Sequence, residues 1–163
     1  MLLDKTTAGG ILKGLCGTAN FPADHSGNCW MGLFTAAPGN SPTAASIANI
    51  ELSGKGYRRT NISAVMNQSY KSYALSEAAV TAHDRRIGNA DQIAFHEAIN
   101  ESDPDAATGG DWATVTHFGL FSSETATTPF AWGALDSAVT VTTHKVFLFR
   151  DGHFEIYMDT EET

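Results

Sequence analysis

A mainly β fold, an antiparallel β-sandwich or jelly-roll-like domain with a short N-terminal helix, is what the sequence predicts, and three observations predict it. Residues 110–135 hold two segments rich in aromatic and β-branched residues, split by a polar run of Ser, Thr and Glu, which is the pattern of a hairpin at the centre of a core. Short strand-like segments recur along the chain at spacings of roughly 8 to 15 residues. The chain has 163 residues, 42% hydrophobic and 17% charged, enough for one core. At that length folding buries roughly 70% of the surface of the unfolded chain. The expected organisation is an N-terminal helical arm over residues 1–20 and a single β-sandwich domain over residues 21–163.

Leu3, Ile11, Leu12 and Leu15, with Asp4 as N-cap, suit a short amphipathic helix. Gly9, Gly10 and Gly14 each weaken it by about 1 kcal/mol relative to Ala, so it needs tertiary contacts or a docking partner. Cys29-Trp30-Met31-Gly32-Leu33-Phe34-Thr35 is a continuous apolar run that closes at Pro38, the signature of a buried strand. Residues 39–46, rich in Pro, Ser, Thr and Ala, read as loop. Gly54-Lys55-Gly56 offers two glycines for positive φ ahead of a strand-like stretch at 57–65. Residues 71–82 mix helical and strand signals and are left open. Ile93 and Phe95 share one face of a strand, and residues 100–110 are a turn into the central hairpin. Val139 and Val141 alternate with Thr140 and Thr142, which predicts a strand with one wet face. Asp151-Gly152 predicts a tight hairpin joining 146–149 to 154–158, with Phe154, Ile156 and Met158 inward. Gly32-Leu33-Phe34 is echoed by Gly119-Leu120-Phe121; their flanks differ, so the echo reads as two core strands with similar demands and not as a repeat.

Composition narrows the function. The net charge is -8 and only Arg58-Arg59 and Arg85-Arg86 are paired cations, which argues against broad binding to nucleic acid or an anionic membrane. Two cysteines, Cys16 and Cys29, make neither a disulfide framework nor a zinc site and read as buried thiols. The run 11–15 is too short and interrupted for a signal sequence, and no segment has the roughly 20 apolar residues of a membrane helix. The chain is expected to be made in a cytosol and to stay soluble.

The search for chemistry is largely negative. Six histidines, His25, His83, His96, His117, His144 and His153, lack metal-binding spacing. His96-Glu97 with Asp84 is the nearest to a cluster, and it would need the fold to assemble it. His117, between Val115 and Phe118, reads as a satisfied histidine bonded to a backbone carbonyl or a neighbouring subunit rather than as a base. Glu97, Glu101, Asp103 and Asp105 form an acidic loop without the ligand pattern of a calcium site. No nucleophile elbow exists, and Lys13 is a weak basis for activating Cys16. Trp30, Tyr57, Trp112 and Trp132 would suit a sugar site, but tryptophan in a small β domain is more often core. Neither an enzyme nor a cofactor is expected.

Four pieces taken together, Trp30-Met31-Gly32-Leu33-Phe34-Thr35-Ala36-Ala37-Pro38, Glu51-Leu52-Ser53-Gly54-Lys55-Gly56-Tyr57-Arg58-Arg59, residues 89–95, and Gly110-Asp111-Trp112 through Leu135, resemble small tailed-bacteriophage virion proteins labelled tail fibre or minor structural protein. The most specific part is W-x-x-V-x-H-F-G-L-F at 112–121 with Trp132-Gly133-Ala134-Leu135 after it. The resemblance implies a non-enzymatic virion structural protein on the particle exterior, assembled in the host cytoplasm. It also implies a symmetric homo-oligomer, a homotrimer, in contact with major capsid or tail proteins. A capsid decoration (cement) protein is the first reading; a tail fibre or baseplate component, or a receptor- or glycan-binding adhesin using Tyr57, Tyr70 and Tyr73, is the alternative. Heptads, Gly-X-Y runs and β-helix repeats are absent, so the chain is not itself a shaft. Leu3, Ile11, Leu12, Leu15, Tyr57 and His117 are the expected oligomer or docking contacts.

Overall fold

The computed structural model describes residues 29–63, 66–67, 84–89 and 91–159. The expected arm at 1–20, Cys16, the ambiguous stretch 71–82, Tyr70 and Tyr73 lie outside them. The described chain is mainly β and antiparallel: β1 (Trp30–Phe34), a helix α1 (Ala44–Ala48), β2 (Thr60–Asn61), β3 (Met66–Asn67), β4 (Asp84–Asn89), β5 (Ile93–Glu97), β6 (Val115–Phe121), β7 (Ala131–Val139), β8 (Val146–Phe149) and β9 (Glu155–Asp159). The strands form sheets in the orders β2-β1-β6-β7, β3-β4-β9 and β5-β8. Two compact units divide the described residues. One comprises Cys29, residues 62–93 and residues 149–159; the other comprises residues 30–61 and 94–148.

The larger sheet belongs to the second unit and is organised by the expected central hairpin. β6 pairs with β7 from Leu120 opposite Ala131 to His117 opposite Ala134, then slips, so that Val115 faces Val139. Four residues of β7, Leu135 to Ala138, therefore stand opposite the single Thr116, a wide bulge on an edge strand. β1 lies on the other side of β6, with Gly32 directly opposite Gly119. Phe34 and Phe121 project to the same face as these glycines and pack edge to face, with ring centroids 6.1 Å apart. Ile47 of α1 closes that face, flanked by Trp30, Ile50 and Ala126. On the opposite face Met31, Leu33 and Leu120 are buried as well.

α1 replaces part of the loop expected at 39–46. Thr43 is its N-cap: Thr43 Oγ1 accepts from Ser46 N (3.2 Å) while Ser46 Oγ accepts from Thr43 N (2.9 Å). This reciprocal pair satisfies two backbone donors and lets a five-residue helix stand inside a Pro- and Ser-rich stretch with one buried anchor, Ile47. It is the only helix among the described residues. A second aromatic group in this unit stacks Tyr57 on Phe95 (6.4 Å) and sets Trp112 edge-on to Tyr57 (5.5 Å) and Phe147 edge-on to Phe95 (5.7 Å).

Two expectations near the C-terminus need correction. Residues 140–145 carry no strand; Val141 O instead accepts from Trp112 N, so this segment braces the backbone at Trp112. The Asp151-Gly152 turn forms, with Gly152 at φ 67°, but it does not join a hairpin: β8 pairs with β5 and β9 pairs with β4. In the first unit this turn is held by Asn89, which is fully buried. Asn89 Nδ2 donates to Asp91 O (2.8 Å) and Arg150 O (2.7 Å), and its Oδ1 accepts from Phe154 N (2.9 Å). A buried amide with every donor and one acceptor engaged specifies a single turn geometry. The sheet β3-β4-β9 runs through the same unit, with Ile87 opposite Ile156, and Cys29 is buried as expected.

Candidate functional site

The residues that set this sequence apart form a polar frame rather than a reactive centre. Gly54, Lys55 and Gly56 all take positive φ (64°, 53° and 77°), which turns the chain sharply before Tyr57. Gly56 is obligatory for a second reason, since a Cβ there would lie 2.4 Å from Glu97 O. The turn aims the Lys55 carbonyl at two donors, Ile99 N (3.1 Å) and Trp112 Nε1 (2.9 Å), while Lys55 Nζ donates to Asp111 O (2.7 Å). Asp111 Oδ1 accepts from both Thr143 N (2.6 Å) and Thr143 Oγ1 (2.8 Å). Those two bonds hold the Asp111 carboxyl below the usual range.

A second part of the frame fills the space above Gly32. The Arg59 guanidinium forks onto Glu51, with Nε to Oε1 and Nη2 to Oε2 both 2.7 Å, and its side chain and that of Glu51 are only 10% and 13% exposed. Its Nη1 donates to the carbonyls of Ala126 (2.6 Å) and Glu124 (2.9 Å), and its plane lies 3.4 Å from the centre of the Phe121 ring. Tyr57 donates its hydroxyl to Glu51 Oε1 (3.1 Å) and accepts from Leu33 N (2.9 Å). Burial, reinforced by the Glu51 charge, pushes the Tyr57 phenol up. The cluster is tied to backbone at Leu33 N and at the Glu124 and Ala126 carbonyls, and its remaining polar contacts join Glu51, Tyr57 and Arg59 to one another.

The two Gly-Leu-Phe segments explain each other here. A Cβ at Gly119 would lie 2.4 Å from the Phe34 ring, and one at Gly32 would lie 2.9 Å from the Phe121 ring and 2.8 Å from Glu51 Oε1. Each strand's glycine makes room for the other strand's phenylalanine.

The sequence-predicted contacts separate in this structure. Tyr57 is half-buried with its hydroxyl turned to the frame. His117 is half-buried, bonded through Nδ1 to Thr116 Oγ1 (2.8 Å), and its ring lies 5.8 Å from that of Trp132. The tryptophans diverge: Trp112 is 3% exposed, as expected of core, whereas Trp132 is 38% exposed on β7. Leu3, Ile11, Leu12 and Leu15 lie outside the described residues. Among the described residues no three His, Cys, Asp or Glu side chains converge as metal ligands, and no helix is long and apolar enough to cross a membrane.

Two surface depressions belong to the second unit. One, of about 260 Å³, is a trough where Val139, Val146 and Leu148 stand exposed beside Lys145. The other, of about 510 Å³, is an open groove over Gly56 lined by Arg58, His96, Glu97 and Glu101 together with the apolar Ile99 and Pro104. Sequence reasoning singled out His96-Glu97 and the acidic loop but had no signal that the Gly54 turn carries Arg58 to them.

A family model described as Podophage GP4 fiber I protein gp80 matches residues 3–156. The chain belongs to this gp80 family. The gp80 match takes in both Gly-Leu-Phe segments, the Glu51 to Arg59 frame and the Trp112 to Leu135 hairpin, so the frame and the family assignment cover the same residues. It supports the phage virion reading of the sequence in general. No curated protein matches the chain.

Proposed function

We propose that this chain is a non-enzymatic structural subunit of a podophage fibre, carried on the outside of the particle as a homotrimer. The match of a fibre-protein family across residues 3–156 is the observation that carries the reading. It favours the fibre over capsid decoration, the first reading from sequence. The frame supports a structural role, because the most distinctive side chains, Glu51, Tyr57, Arg59 and Asp111, are spent on backbone carbonyls, amides and one another. Closure of the strands as a sandwich or jelly roll is part of this proposal and rests on the strand spacing in the sequence. Docking to tail proteins and to sister subunits is assigned to the arm residues Leu3, Ile11, Leu12 and Leu15 and to His117 beside the exposed Trp132.

Native mass spectrometry of the purified protein, followed by mixing with separated tails and empty heads, tests the proposal. A trimer that joins tails and ignores heads supports the fibre. A trimer that binds heads and raises their resistance to heat restores decoration, and a monomer with no affinity for either refutes both.

A further inference from the structure

The geometry points to a binding site for a neutral saccharide in the groove over Gly56. The two carboxylates there are already oriented. Glu97 Oε1 is bonded to His144 Nδ1 (2.9 Å) and Glu101 Oε1 accepts from Gly56 N (3.1 Å), which leaves the second oxygen of each without a hydrogen bond to any described residue. Arg58 is exposed, and its guanidinium makes no hydrogen bond or ion pair with a described residue. Fixed acceptors and a free five-donor fork therefore face one open volume of about 510 Å³, within the size range of small-ligand sites.

The chemistry of the lining selects the ligand class. Vicinal hydroxyls on a sugar ring each donate and accept, so one edge of the ring satisfies a carboxylate and a guanidinium together, while its C–H face fits Ile99 and Pro104. An anionic sugar would gain Arg58 but meet Glu97 and Glu101; a cation would meet the reverse. A ligand without net charge is opposed by none of these three side chains. Among the described residues no three His, Cys, Asp or Glu side chains converge there as metal ligands. The turn that places Arg58 is the one whose Gly56 amide holds Glu101, so donor and acceptor move as one piece. This site goes beyond the structural role proposed above and does not depend on where the chain sits in the particle.

Saturation-transfer NMR on the full-length protein with free neutral hexoses, N-acetylhexosamines, their disaccharides and uronic acids tests it. We expect saturation of a neutral saccharide that weakens about tenfold or more in both Arg58→Ala and Glu101→Gln, with circular dichroism and melting unchanged. Trp132→Ala, which removes the exposed indole of β7, should leave the binding intact. Absence of transfer to every neutral saccharide would overturn the assignment, as would preference for uronic acids or a loss that follows Trp132→Ala instead of Arg58→Ala. None of these results alters the outcome of mixing the protein with heads and tails.

Discussion

Gly119→Ala adds one methyl group at the point where the two central strands share their phenylalanines. The new Cβ would sit 2.4 Å from Phe34 Cζ, 2.5 Å from Cε2 and 3.2 Å from Pro129 Cβ. Phe34 has no exposed surface and is held by the Phe121 ring and Ile47, so its ring has nowhere to swing. Gly119 has no positive φ, so a backbone penalty does not enter. With room for the methyl, alanine would stabilise the fold by about 0.4–1 kcal/mol by restricting the unfolded chain. With the clash, overpacking costs about 1–3 kcal/mol, and a contact this short with a rigid ring puts the cost near the top of that range. A loss of about 2–3 kcal/mol corresponds to a melting point lower by roughly 4–12 °C for a chain of this size. Thermal and urea melts of the variant read the sign directly. The double variant Gly119→Ala with Phe34→Leu should cost less than the two single changes added together, because leucine frees the space the methyl needs. An unchanged or raised melting point for Gly119→Ala would refute the glycine-for-phenylalanine argument.

Three further expectations follow from the frame and the tryptophans. Arg59→Met leaves Glu51 largely buried without its partner and should cost about 3–5 kcal/mol in urea titrations, whereas replacing Glu51 and Arg59 together by apolar residues should cost less than Arg59→Met alone. Trp112→Ala should cost about 3–5 kcal/mol, and Trp132→Ala about 1 kcal/mol in keeping with its exposure; equal losses would contradict the placement of the two indoles. Asp111 has a folded-state pKa below its unfolded value of about 3.9, so the stability it contributes is present above about pH 4 and is lost as pH falls through the folded value. The melting-point advantage of the wild type over Asp111→Ala should therefore shrink on acidification below pH 4, and an advantage that grows there would be inconsistent with the Thr143 bonds.

Local pattern carried the central hairpin, β1 and the shared face of Ile93 and Phe95, because each depends on side-chain alternation within one segment. It also carried the Gly54 and Gly56 turn, where positive φ is a property of the residues themselves. It failed where pairing is decided at long range. Asp151-Gly152 has the chemistry of a tight hairpin, yet β8 and β9 go to separate sheets, and nothing inside residues 146–158 encodes β5 or β4 as their partners. Of the alternation at 139–142 only Val141 is buried, where a single main-chain bond from Trp112 replaces a ladder, while Val139 ends β7 exposed. α1 left a faint trace in Thr43 and Ser46, three residues apart, which the surrounding Pro and Ser outweighed. The Glu51–Arg59 fork had no trace at all, for an ion pair eight residues apart across a turn has no periodic signature.

The bulge in β7 bears on how many copies of such a chain can be crowded together. An edge strand with a free row of amides and carbonyls is a template for the next strand, and a subunit concentrated on a particle meets its own edges constantly. Here four residues of the edge, Asp136 among them, bow out opposite Thr116, which leaves only the short run 131–134 in regular register. A ladder cannot zip past that point. The same slip that interrupts the sheet thus acts as a terminator, denying the backbone of β7 a continuous ladder to offer another strand.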